Sequence, residues 1–208
     1  MKKHLQGTVM LVILFSVCSM MAQGTMYVSL LSNLPQAASQ VGSDSWNAVD
    51  FRTGTNSSGY SLNSIQVLMG NSSGNPSGII VSLYNLTGNV PGTPISILTG
   101  SEPTAAGNYS YTASSISLQP VTRYFVVMTS VTPVSTGAYN WIAGDGGGSA
   151  TEGWIAGISF RSSSDGINWN ATRHPFLFAV NATAIPEPAT TSLIIIGLAV
   201  CGLYRGKA

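Results

Sequence analysis

Ile79-Ile80-Val81-Ser82-Leu83-Tyr84 decides the fold class. Ile79, Val81 and Leu83 recur with a period of two, and Ser82 and Tyr84 fall on the opposite face. That repeat belongs to a β-strand with one face toward a core. The break Thr87-Gly88-Asn89-Val90-Pro91-Gly92-Thr93-Pro94 follows, and Ile95 and Ile97 then resume the alternation. Upstream, Leu62, Ile65, Val67 and Met69 form another run. Asn71-Ser72-Ser73-Gly74-Asn75-Pro76-Ser77-Gly78 separates it from Ile79. Downstream, Tyr109, Tyr111 and Ala113 alternate with Ser110 and Thr112. Tyr124, Val126 and Met128 alternate with Phe125, Val127 and Thr129, and Phe176, Phe178 and Val180 close the set. Gly144-Asp145-Gly146-Gly147-Gly148 reads as a loop.

No stretch between Gln23 and Thr183 sustains a 3.6-residue repeat. Many short strands with Gly/Pro turns predict an all-β, antiparallel β-sandwich or jelly roll. The expected domain spans 46–183, preceded by an N-terminal strand or linker over 23–45. No internal boundary stands out, so one domain is expected.

The two ends read differently. Met1-Lys2-Lys3-His4 is basic, Val9 to Phe15 is apolar, and Ser19-Met20-Met21-Ala22 offers a small residue at a cleavage point. This predicts a secretory signal helix over 1–22, handled by the secretion translocon and signal peptidase. Ser16-Val17 lacks the small residue that a lipidated Cys18 needs just before it. At the other end, Pro186-Glu187-Pro188 precedes an uncharged run that contains Leu193, Ile194, Ile195, Ile196 and Leu198. Arg205 and Lys207 follow. As a helix, the fifteen residues 190–204 would cover about 22 Å. A hydrocarbon core is about 30 Å thick, so the run is short for a permanent span. It suits transient insertion, with Arg205 and Lys207 as a cytoplasmic basic stop. A buried core helix would show a polar face, and this run is apolar all round.

Pro-Glu-Pro, the apolar helix and the basic cluster, in that order, resemble a PEP-CTERM sorting signal over 184–208. The resemblance implies an exported bacterial protein sorted by exosortase, a membrane-embedded transpeptidase-like enzyme, in organisms that make exopolysaccharide. It implies cleavage near Pro186, Glu187 and Pro188. The expected route is an inner-membrane precursor, then the cell surface or extracellular matrix of a Gram-negative bacterium. A second resemblance covers about Trp46 to Val180. Trp46 and Phe51, Tyr60-Ser61-Leu62, Val81-Ser82-Leu83-Tyr84, Pro91-Gly92, Leu118 to Val127 and Tyr139-Asn140-Trp141 together are similar to the choice-of-anchor domains, in particular type R. This implies a surface β-sandwich and brings no catalytic residues.

Removing both ends takes away Cys18, Cys201 and every lysine. Disulfides and thiolate chemistry are thereby excluded from the remaining domain. Its four arginines (Arg52, Arg123, Arg161, Arg173) face seven carboxylates, a net charge of −3. A lysine-free, weakly acidic surface releases few counterions, so no nucleic-acid partner is expected.

Chemistry is sparse. His174 is the one histidine left after processing, and no Gly-x-Ser-x-Gly elbow accompanies it. Zinc lacks ligands. No cofactor is expected beyond a candidate structural calcium, which needs six to eight oxygens. Asp145 and Asp165 lie at turns and are its candidate ligands, although Asx turns alone account for such aspartates. Trp141 and Trp169 adjoin Asn140 and Asn168/Asn170 and are the candidate sugar contacts. Core packing is the competing reading of each tryptophan. The expected function is a non-enzymatic structural or interaction protein of the surface. A carbohydrate-binding module of the exopolysaccharide matrix is the alternative, and a hydrolase the weaker one.

Overall fold

The structure is a computed structural model and describes residues 24–187. The expected signal segment 1–22, Pro188, the apolar run with Leu193, Ile194, Ile195, Ile196 and Leu198, and the basic residues Arg205 and Lys207 lie outside the described residues. Among the described residues no helix is long and apolar enough to cross a membrane.

The described chain is all β. Its strands are β1 (Thr25–Ser29), β2 (Pro35–Val41), β3 (Trp46–Arg52), β4 (Tyr60–Gly74), β5 (Ile79–Thr87), β6 (Val90–Leu98) and β7 (Gly107–Leu118). There follow β8 (Arg123–Ser130), β9 (Gly137–Gly144), β10 (Ser149–Ala150), β11 (Ile155–Ser163), β12 (Asn170–Ala171) and β13 (Phe178–Ala184). One sheet runs β10-β1-β13-β4-β9-β2, with β7 also paired to β4. The other runs β12-β11-β3-β8-β5-β6. Every pairing is antiparallel.

Both sheets contribute to one apolar core, an arrangement consistent with a β-sandwich. Leu62, Ile65, Val67, Met69, Phe178 and Val180 come from the first sheet. Val49, Phe51, Val81, Leu83, Val126 and Met128 come from the second. Each such side chain, fully buried, stabilises by about 1.5–3 kcal/mol. Trp154 sits at one end of this core. It stacks on Tyr27 at 4.7 Å and on Phe51 at 5.8 Å, and meets Tyr60 edge-on at 4.8 Å.

The uneven spacing of Leu62 and Ile65 has a structural cause. Asn63 is an extra residue between the pairs Leu62↔Ala182 and Ser64↔Asn181. This bulge restores both apolar side chains to the same face.

Of the two readings of 23–45, strand or linker, the structure shows strand: Val28, Leu30 and Val41 are fully buried, and β1 and β2 are members of the first sheet. The folded unit therefore begins ahead of Trp46. Both expected breaks around β5 need correction. The supposed eight-residue break Thr87–Pro94 is mostly strand. Only Gly88 and Asn89 form the turn, with Gly88 at φ +61°. β6 is an edge strand, where the missing N–H of Pro91 and Pro94 is tolerated. Ile95 and Ile97 do lie in that strand, yet face solvent, and Leu98 is the buried member. Asn71–Gly74 belongs to β4, because Ser73 and Gly74 pair with Ala138 and Gly137.

Candidate functional site

Alternation along the second sheet gives it two working faces. On β3 and β8, Val49, Phe51, Tyr124, Val126 and Met128 enter the core. The residues between them face outward. There Ala48, Phe125 and Val127 form a second buried cluster, with Trp46, Tyr84, Leu86 and Trp169 packed against it and partly exposed. Burial pushes the Tyr84 phenol above its ordinary pKa, which keeps it neutral.

Polar residues take over at one end of this face. Asp50 is fully buried, and its Oδ1 accepts the Ser159 N–H at 2.7 Å. Its Oδ2 accepts Arg123 Nε at 2.8 Å and also Arg123 Nη2. Arg123 Nη2 donates further to Ser159 Oγ at 3.2 Å, and Nη1 to Asn89 Oδ1 at 3.3 Å. Asn89, in the β5–β6 turn, also accepts Arg161 Nε on its backbone oxygen at 3.1 Å. Arg52 is the direct cross-strand partner of Arg123. Like charges placed opposite one another repel. Asp50 answers Arg123, whereas Arg52 Nε is buried without a hydrogen-bond partner.

Arg52 and Arg123 line an open cleft of about 520 Å³ with Asn85, Leu86, Val121 and Thr122. Val121 stands at its rim, 55% exposed, with φ +50°. That is an outlier for a β-branched residue. The Val121 N–H donates to the Gly54 carbonyl at 2.9 Å, and Thr122 N–H to Thr53 Oγ1 at 2.9 Å, which fixes the β7–β8 turn in this shape.

The residues expected from sequence are scattered. Trp141 is fully buried, stacks on Phe176 at 4.7 Å and donates from Nε1 to the Leu177 carbonyl at 3.0 Å. It offers no face to a sugar, which corrects that expectation: the strand places it inward against Phe176 and Leu177. Trp169 is partly exposed on the outer cluster. Asp145 Oδ1 accepts the Leu34 N–H at 3.1 Å. The carbonyls of Asp145, Gly146 and Gly147 converge on Asn33 Nδ2 at 2.8, 3.3 and 3.4 Å, so an amide fills the centre of that loop. Asp165 accepts the N–H groups of Asn168 and Ile167, the Asn168 side chain and the Ser163 hydroxyl. These donors, the Asn168 N–H foremost, hold its carboxyl well below the usual range. This is the Asx turn that competed with calcium. Among the described residues no three His, Cys, Asp or Glu side chains gather as a metal group.

His174 lies just before β13 and lines a hollow of about 190 Å³ with Arg173, Thr172 and Phe176. In the proposed sorting motif, Pro186 and Glu187 follow β13 after Ile185. Glu187 Oε1 accepts the Ser57 hydroxyl at 2.7 Å and the Ser57 N–H at 3.1 Å, which lowers its carboxyl pKa.

The arginine cleft was missed by sequence reading. Its one legible signal is that a domain without lysine spends two of its four arginines at strand ends, Arg52 closing β3 and Arg123 opening β8. Compared with family models, curated proteins and solved structures, the chain matches none.

Proposed function

We propose that this chain is an exported, non-enzymatic β-sandwich protein whose C-terminal signal directs its sorting. In this reading the translocon and signal peptidase handle the N-terminal segment. Exosortase then recognises Pro186-Glu187-Pro188, the apolar run 190–204 and the basic Arg205 and Lys207. It cleaves near the motif and releases the domain to the surface or extracellular matrix of a Gram-negative bacterium. The order of those three elements is the observation that carries the proposal. The shortness of the apolar run supports a segment that is removed over one that stays. The reading requires no cofactor and no nucleic acid.

Replacing Pro186-Glu187-Pro188 with three alanines tests it. The variant is expected to accumulate as a longer, membrane-retained precursor. Normal release would count against the proposal.

A carbohydrate-binding role in the exopolysaccharide matrix is the second reading. The partly exposed aromatic side chains Trp46, Tyr84 and Trp169 on one sheet face favour it, because such faces stack on sugar rings. A glycan array with the full chain is expected to show binding that Trp169→Ala reduces.

A further inference from the structure

The cleft walled by Arg52, Arg123 and Leu86 combines three features that core packing leaves unexplained. Two arginines stand directly opposite each other across β3 and β8. One of them, Arg52, has a buried Nε with no partner. An exposed valine is held at positive φ on the rim. Each is unfavourable on its own. They coincide at a cleft of about 520 Å³ that both arginines line, within the roughly 300–1,000 Å³ typical of ligand sites. Arg161 lies outside the cleft lining and joins the same network through Asn89, which also accepts from Arg123. Asp50 is the single carboxylate in this hydrogen-bond network, so the local balance is cationic on a domain that is otherwise weakly acidic.

We propose that this cleft binds a carboxylate-bearing polysaccharide. Arg52 in the cleft and Arg161 beyond its lining contact sugar carboxylates, while Asp50 holds Arg123 in place. Planar guanidinium groups match carboxylates through paired N–H donors. Leu86 lines the cleft and also packs against the outer aromatic cluster, so the sugar rings of a bound chain run onto Trp46, Tyr84 and Trp169. Charge selects against neutral polymers. The absence of lysine and the small number of cations select against nucleic acid. The choice of a polysaccharide rests on the exported, matrix-facing reading above, whereas the anionic chemistry rests on the cleft alone.

The test is affinity electrophoresis and calorimetry of the full chain in detergent. The probes are oligogalacturonate, a neutral glucan of equal length and single-stranded DNA of matched charge. Oligogalacturonate is expected to bind, to weaken with added salt, and to exceed both other probes. Arg52→Gln and Arg161→Gln each weaken it roughly tenfold. Both leave the Asp50–Arg123 pair intact, and unchanged thermal melting confirms that they fold. Trp141→Phe, a core change, leaves binding unaltered. Absence of oligogalacturonate binding, equal or tighter binding of DNA or glucan, or insensitivity to Arg52→Gln with the fold intact overturns the proposal. Each of those results is independent of whether the C-terminal tail is cleaved, so the sorting proposal stands or falls separately.

Discussion

Ser57 grips Glu187 twice. Its hydroxyl and its backbone N–H both donate to Glu187 Oε1, at 2.7 and 3.1 Å. The neighbouring loop completes the clasp: Asn56 Nδ2 donates to the Ile185 carbonyl at 3.1 Å, and Ile185 N–H to the Gly59 carbonyl at 3.0 Å. The first two residues of the Pro-Glu-Pro motif thus leave the domain along a fixed path. Ser57→Ala is expected to speed hydrogen exchange at residue 57 and at Ile185 without moving the thermal midpoint. Unchanged exchange there would show that the clasp does not hold the segment.

The same clasp is pH-dependent. Glu187 is exposed, and its pKa is lowered by the Ser57 hydroxyl and then the Ser57 N–H. A depressed carboxylate favours the docked form above the ordinary glutamate value of about 4.3. That preference is lost as pH falls through the lowered value. Protection of the Ser57 and Ile185 N–H groups is therefore expected to be full at neutral pH and to fade only below the ordinary glutamate value. Loss of protection already between pH 7 and 6 would contradict this assignment.

Asp50 and Arg123 form the ion pair found among the described residues, with Asp50 fully buried and Arg123 at 19% exposure. Removing one partner leaves a charge stranded inside the sheet. Arg123→Met is expected to cost about 3–5 kcal/mol in urea denaturation. Asp50→Leu added to it is expected to recover much of that loss, because two apolar side chains replace a charged pair with little net cost. A double variant as unstable as Arg123→Met alone would refute the pairing argument.

Two tryptophans that look alike in sequence should separate by experiment. Trp141→Ala empties a fully buried site and is expected to cost about 3–5 kcal/mol. Trp169→Ala removes a partly exposed ring and should cost clearly less. Equal losses would place Trp169 in the core as well.

What was legible follows from the physics of each element. The period of two exposed β5, β7 and β8, because their apolar side chains meet a core at every second position. The class, all β and antiparallel, followed from those runs. Over 23–45 strand and linker stayed open, since Pro35–Gln40 of β2 is largely exposed and only Val41 is buried. Ile95 and Ile97 suggested burial, but an edge strand with a shifted register turns them to solvent. The Arg52–Arg123 juxtaposition depends on the pairing of β3 with β8, seventy residues apart, and no local pattern announces it. Nor does spacing say which tryptophan faces inward, as Trp141 and Trp169 both adjoin asparagines.

The central claim is delivery by a removable tail. The most direct measurement is intact-mass and C-terminal peptide mass spectrometry of the surface-released protein from a host that encodes exosortase. The account predicts a chain that ends at or beside Pro186-Glu187-Pro188 and lacks the apolar run 190–204. A released protein that still carries that run together with Arg205 and Lys207 would contradict it.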